Sequence, residues 1–176
     1  LYHLLEAAAR AQALDEAARV LAPGGTLCAA FITRYAAHRH AARHEPAWPL
    51  EHPDLSVQVL RDGRLPPRDA DDTRFVAYFA HPDEVVPLCR GAGLEVLTVL
   101  GMEGLVSLME EGVNVLEGAA WEAWVDLNWQ VAPDPSLHGG VEHLLAVAHK
   151  PLWRAVLQRV ARRLAKAGVT YKVVGG

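Results

Sequence analysis

The chain has 176 residues, about half of them apolar, enough to bury one sizeable core. Its formal net charge of -4 at pH 7 leaves no overall basic footprint for nucleic acid, although Arg34, His38, Arg39, His40, Arg43 and His44 form a local basic run. No apolar run approaches the roughly 18–20 residues of a membrane span, no secretory leader is visible, and Cys28 and Cys89 fall at apolar positions, all of which points to a reducing, cytoplasmic setting without a disulfide framework.

Residues 4–21 predict an alanine-rich helix, with Leu14, Ala17, Ala18 and Leu21 on one face and Asp15, Glu16 and Arg19 on the other. Pro23 cannot continue that helix, and Gly24-Gly25 supply the conformations a reversal needs. Residues 26–32 then carry almost no polar side chain, which reads as a central strand buried on both faces, with Cys28 among its core residues. In open α/β sheets ligands bind beyond the carboxyl ends of strands. Gly24-Gly25 precede the strand and so form a structural turn, not a phosphate cradle. That placement also argues against a dinucleotide oxidoreductase. Thr33-Arg34-Tyr35 leave the strand at the functional edge.

Residues 35–43 read as a further helical piece. From 45 to 73 the prolines at 46, 49, 53, 66 and 67 and the turn pair Asp62-Gly63 mark a lid-like insertion over the carboxyl edge, with 55–60 as a short helix or edge strand. Residues 75–79 predict a minor strand. His81-Pro82-Asp83-Glu84 opens a helix carrying Val85, Leu88, Cys89 and Ala92 inward, which Pro87 should strain and Gly93 ends. Residues 95–100 predict a strand, and Gly101-Met102-Glu103-Gly104 leaves it at the same edge as Arg34. Residues 105–130 form a second helical insertion, broken near Gly112 and Gly118, with Trp121, Trp124, Val125 and Asn128 on one face and Trp129 nearby. Residues 144–148 make a closing strand. After Pro151 a basic amphipathic helix at 152–167 sets Val156, Leu157, Val160 and Leu164 against exposed Arg154, Arg159, Arg162, Arg163 and Lys166, and 169–174 reads as a strand before Gly175-Gly176.

Leu1-Tyr2-His3-Leu4, then Ala18-Arg19-Val20-Leu21-Ala22-Pro23-Gly24-Gly25-Thr26-Leu27, resembles the second half of a class I S-adenosylmethionine-dependent methyltransferase. The likeness continues through Phe75-Val76-Ala77-Tyr78-Phe79-Ala80-His81-Pro82-Asp83-Glu84, Ala92-Gly93-Leu94-Glu95-Val96 and His143-Leu144-Leu145-Ala146-Val147-Ala148-His149-Lys150. It implies an α/β, partial Rossmann-like fold over residues 1–150: a mostly parallel sheet, an antiparallel closing strand between two parallel neighbours, and helical and lid insertions. The family's glycine-rich donor loop, an acid followed by G-x-G-x-G, has no counterpart in these residues. Residues 151–176 more weakly resemble the start of a nucleotidyltransferase-fold domain, a plain linker helix being the alternative.

The resemblance implies S-adenosylmethionine as cofactor, with Leu1, Tyr2 and Leu4 on its side of the cleft. Tyr2 and His3 are the catalytic candidates, His3 as a general base near working pH. Arg34, Tyr35 and Glu103, at the strand exits, are candidate substrate contacts for an anionic or aromatic acceptor. Each has a plainer reading: a helix cap for His3, a surface ion pair and lid packing for Arg34 and Tyr35, loop shaping for Glu103. His40 and His44 have helical metal spacing but lack a third ligand, so a solvated face is the better reading and no metal is expected. The tryptophans read as core rather than as an aromatic cage.

The implied activity is methyl transfer to an unidentified, small acceptor, a reaction in which positioning outweighs acid–base chemistry. Without the donor loop, these residues alone should bind the cofactor weakly or not at all and be inactive alone. Two rivals stand beside it: a non-catalytic α/β interaction domain, and part of a fused methyltransferase–nucleotidyltransferase. No nucleic-acid or membrane partner is expected, and the oligomeric state is left open.

Overall fold

The computed structural model describes residues 1–67 and 75–169. Among them it is an α/β structure around one open mixed sheet of five strands, ordered β2-β3-β1-β5-β4. The strands are β1 (Thr26–Thr33), β2 (Arg64–Leu65), β3 (Ala77–Ala80), β4 (Glu95–Gly101) and β5 (His143–His149). β1 and β3 are parallel, whereas β2–β3, β1–β5 and β4–β5 are antiparallel. The expectation of a mostly parallel sheet is therefore corrected to a mixed one. The reason lies in the connections: the helical excursion from β1 returns to start β3 alongside it, whereas β5 enters from the opposite end between β1 and β4. β1 and β4 thus point the same way on either side of their antiparallel neighbour.

The first helix, α1 (Ala7–Val20), buries Leu14 and Ala18 on the predicted face together with Arg10, whose guanidinium donates to the carbonyls of Leu4 and Leu5. The diglycine turn follows: Gly24 adopts φ 79°, its N–H donates to the Lys150 carbonyl, and Lys150 N–H donates back to Gly25. At the far end of β1, the Arg34 N–H donates to Ala80. The diglycine and Arg34 therefore stand at opposite rims of the sheet, as the reading of residues 24–35 requires.

Burial along β1 departs from expectation. Its carboxyl half, Phe31 to Thr33, is covered on both faces, but Thr26, Cys28 and Ala30 alternate outward to solvent. Cys28 is exposed, not a core residue, whereas Cys89 is fully buried; both are free thiols. One face carries Phe31, Leu144, Ala29 and Ala146 into a core with Leu14, Tyr78, Val85 and Val141. The other carries Ile32 and Phe79 into a second cluster with Ala36, Val59 and Ala77.

The lid region is helical: α2 (Ala36–His44), α3 (Trp48–Glu51) and α4 (Pro53–Asp62) pass over the carboxyl edge before β2 brings the chain back beside β3. The alternative left open at 55–60 resolves as helix. Gly63 ends α4 in the left-handed conformation, φ 75°. The lid's last stretch, 68–73, lies outside the described residues. α5 (Pro82–Gly91) is capped by the His81 ring, which accepts from the Asp83 N–H, and it runs on through Pro87.

Beyond β4, a short 3₁₀ turn at Gly104–Val106 leads to α6 (Glu110–Asn114) and α7 (Gly118–Val131). Gly118, at φ 55°, marks the predicted break, but Gly112 lies inside α6. No residue of α7 is buried, and Trp121 and Trp129 are exposed by 37% and 71%. The core reading of these tryptophans is overturned, because α7 touches chiefly the 3₁₀ turn and α6 rather than the sheet. The last helix, α8 (Leu152–Lys166), leaves Leu157 and Val160 of its apolar stripe exposed. The strand predicted over 169–174 falls, beyond Val169, outside the described residues.

Candidate functional site

At the carboxyl ends of β1 and β3 the lid borders a half-open cavity of about 420 Å³, within the roughly 300–1,000 Å³ of small-molecule sites. Strand register builds its floor. Ile32 lies beside Phe79 on one side and opposite His143 on the other, so all three side chains stand on the same sheet face. Ala36, Ala37 and Ala41 of α2 form one wall with small side chains, while Trp48, Leu55, Leu65 and Phe75 supply apolar bulk. Polar groups are few: His40, Glu45, Glu142 and His143.

His143 is fixed by Glu103. The Glu103 carboxylate, leaving β4, accepts the backbone N–H groups of Glu142 at 3.0 Å and His143 at 2.9 Å on Oε2. Its Oε1 lies 2.6 Å from His143 Nδ1. The His143 side chain is 45% exposed and lines the cavity, whereas Glu103 is mostly covered.

The other predicted site residues separate into distinct roles. Arg34 is buried, and its guanidinium serves the fold: Nε donates to the Phe79 carbonyl at 2.8 Å, Nη1 to Leu60 and Arg61, and Nη2 to Glu84 Oε1 at 2.6 Å. Nη2 also lies 3.5 Å from the Tyr78 hydroxyl, so no donor is left for a substrate. Tyr35 packs edge-on against His81 and beside Gly139, outside the cavity. His3 is exposed, its Nδ1 2.8 Å from the Val76 carbonyl. The rings of Tyr2 and His3 meet at 4.6 Å and both touch Phe75, so this pair stands behind one wall of the cavity rather than in it.

Tyr78 and Cys89 are among the titratable groups that burial perturbs. Desolvation first, then the hydrogen bond to Glu84, pushes the Tyr78 phenol above its ordinary range, while the cations of Arg10 and Arg34 oppose the shift. Desolvation pushes the Cys89 thiol up. Both belong to the core, not the cavity.

The residues expected on the donor's side are engaged by the fold itself. Leu1 packs on the first core cluster, and the Tyr2 ring packs on the second while its carbonyl accepts from Tyr78 N–H. The Leu4 carbonyl accepts from Arg10. A ribose diol calls for a carboxylate beside it, and the nearby Glu6 is paired with Arg64. Sequence reasoning named Glu103 but missed His143. The signal was its place at the first residue of the closing strand, one alternation step before Leu144.

Among the described residues no group of His, Cys, Asp and Glu is placed to hold a metal, and no helix is long and apolar enough to cross a membrane. No known family model matches the chain, and no curated protein matches it.

Proposed function

We propose that this chain is the acceptor-binding side of a class I S-adenosylmethionine-dependent methyltransferase that acts on a small molecule. The observation that carries the reading is the apolar cavity lying beyond the carboxyl ends of β1 and β3, with the antiparallel β5 set between β1 and β4. Supporting it is the order of sequence segments from Leu1-Tyr2-His3-Leu4 to residues 143–150. The donor supplies an electrophilic methyl group. Leu1, Tyr2 and Leu4 are engaged in the fold's own packing and hydrogen bonds, so we assign the donor's grip to other residues. What this chain contributes is positioning: the lid helices screen water from the floor formed by Ile32 and Phe79, and an acceptor is held in one orientation.

The test is transfer of radiolabelled methyl groups from S-adenosylmethionine into a small-molecule extract by the protein expressed with any coding sequence that adjoins Leu1. Label entering an apolar small molecule is the expected result. An adjoining sequence without an acid followed by G-x-G-x-G, together with no transfer, would overturn the reading.

A further inference from the structure

The structure assigns to His143 the role of hydrogen-bond acceptor for the cavity's occupant, an apolar, ring-sized molecule bearing one N–H or O–H group. This deepens the acceptor-site reading and rests on it for the occupant's chemistry, but the contact itself is a property of the cavity.

Chemistry fixes the tautomer. A carboxylate offers acceptors only, and Glu103 already takes two backbone N–H groups on Oε2. The 2.6 Å contact of Oε1 with His143 Nδ1 is therefore a hydrogen bond donated by the ring, which places the ring proton on Nδ1. In the neutral ring Nε2 is left with its lone pair, and it has no protein partner among the described residues. The ring cannot turn over to offer Nδ1 to the cavity without setting the Cδ2–H carbon against Glu103 in place of a donor.

Position fixes the audience. The His143 side chain rises from the same sheet face as Ile32 and Phe79, at the cavity floor. The rest of the lining is the small side chains of Ala36, Ala37 and Ala41 and the apolar bulk of Trp48, Leu55 and Phe75. Such a cavity favours a flat apolar body by burial and discriminates among bodies of one shape by its few polar groups, of which His143 is the one standing on the floor and held by Glu103. The same lone pair would take the proton of that N–H or O–H as the acceptor atom gains a methyl group, which makes His143 a candidate catalytic residue in place of His3.

Binding of matched probes to the full chain tests this without any methyl transfer. Indole carries an N–H, and benzothiophene has the same shape without one. Titrations followed by ¹H–¹⁵N spectra, with the His143 ring nitrogens observed directly, should show indole bound roughly threefold to tenfold more tightly, the worth of one net hydrogen bond. The Nε2 resonance should move with indole and not with benzothiophene. His143→Asn keeps a donor where Nδ1 stood but removes the distal acceptor, so it should bind both probes equally at the benzothiophene affinity. His143→Gln reaches the Nε2 position with an amide oxygen and should restore part of the preference. Equal affinities in the native chain, or a preference that survives in His143→Asn, would overturn the assignment. If the preference is found and no methyl transfer ever is, the methyltransferase reading falls while the role of His143 stands. Methyl transfer without the preference would keep the methyltransferase reading and remove that role from His143.

Discussion

Glu103 and His143 stand 40 residues apart in sequence, yet one carboxylate holds both the main chain and the ring of the histidine, at 2.9 Å and 2.6 Å. The exit of β4 is thereby stapled to the entry of β5, on the rim where the cavity opens. Glu103→Gln keeps one oxygen for the backbone N–H groups but turns an NH₂ toward a ring that was donating. It should lower stability to urea by about 1–2 kcal/mol, the cost of one strained or lost hydrogen bond to a charged group. In the ¹⁵N spectrum the imidazole should then lose its single-tautomer signature. An unchanged tautomer would mean that Nδ1 is held by something other than Glu103.

Arg34 was legible as a residue at the functional rim but not as a structural clamp. Its donors end on the carbonyls of Phe79, Leu60 and Arg61 and on Glu84, so Arg34→Ala should cost roughly 3 kcal/mol in urea unfolding. Most of that loss comes from orphaned carbonyls rather than Coulomb attraction, because the Glu84 side chain is 41% exposed and screened. Arg34→Lys retains the charge without the fork and should recover less than half of the loss. Indole affinity in Arg34→Lys, measured below its unfolding midpoint, should match the native chain. A large drop would return Arg34 to the binding site.

The contrast between those two residues shows what the sequence could carry. Local signals were readable because they depend on neighbours in the chain. Pro23-Gly24-Gly25 stopped α1, His81-Pro82 opened α5, and the apolar run before Thr33 made β1. What escaped depended on partners far along the chain. Covering Cys28 would take a layer over the amino half of β1, and burying Trp129 would take a sheet beneath α7; hydropathy cannot report either absence. His143 became a site residue only through its register with Ile32, a pairing between positions 111 residues apart.

Gly63 couples the lid to the sheet. Its φ of 75° is left-handed, and a Cβ there would collide with the Phe79 carbonyl oxygen and lie 2.8 Å from Arg34 Nε. Gly63→Ala therefore combines a left-handed penalty of about 1–2 kcal/mol with displacement of the Arg34–Phe79 hydrogen bond. The thermal midpoint should fall by several degrees, about 2–4 °C for each kcal/mol lost in a chain of this size. Since Leu65 lies just beyond Gly63 and lines the cavity, probe affinity should fall as well. Native stability in Gly63→Ala would show that the turn relaxes without moving Arg34.

Alkaline pH should weaken the fold through Cys89 and Tyr78, whose pKa values are raised. A raised folded-state pKa means that the native state holds its proton where the unfolded chain has released it. The stabilisation is therefore complete below the unfolded pKa and is lost as pH rises through the folded one. For Cys89 the decline begins near the ordinary thiol value of about 8.5, and for Tyr78 near the phenol value of about 10, each contributing at most about 1.4 kcal/mol per pH unit. Urea midpoints measured between pH 7 and 11 should fall in two stages. Tyr78→Phe has no phenol to ionise, so it should flatten the second stage while leaving the first in place. It should also cost about 1 kcal/mol at pH 7, because Glu84 loses the donor it shares with Arg34. A second stage of unchanged slope in that variant would place the alkaline loss on another group and detach it from the burial of Tyr78.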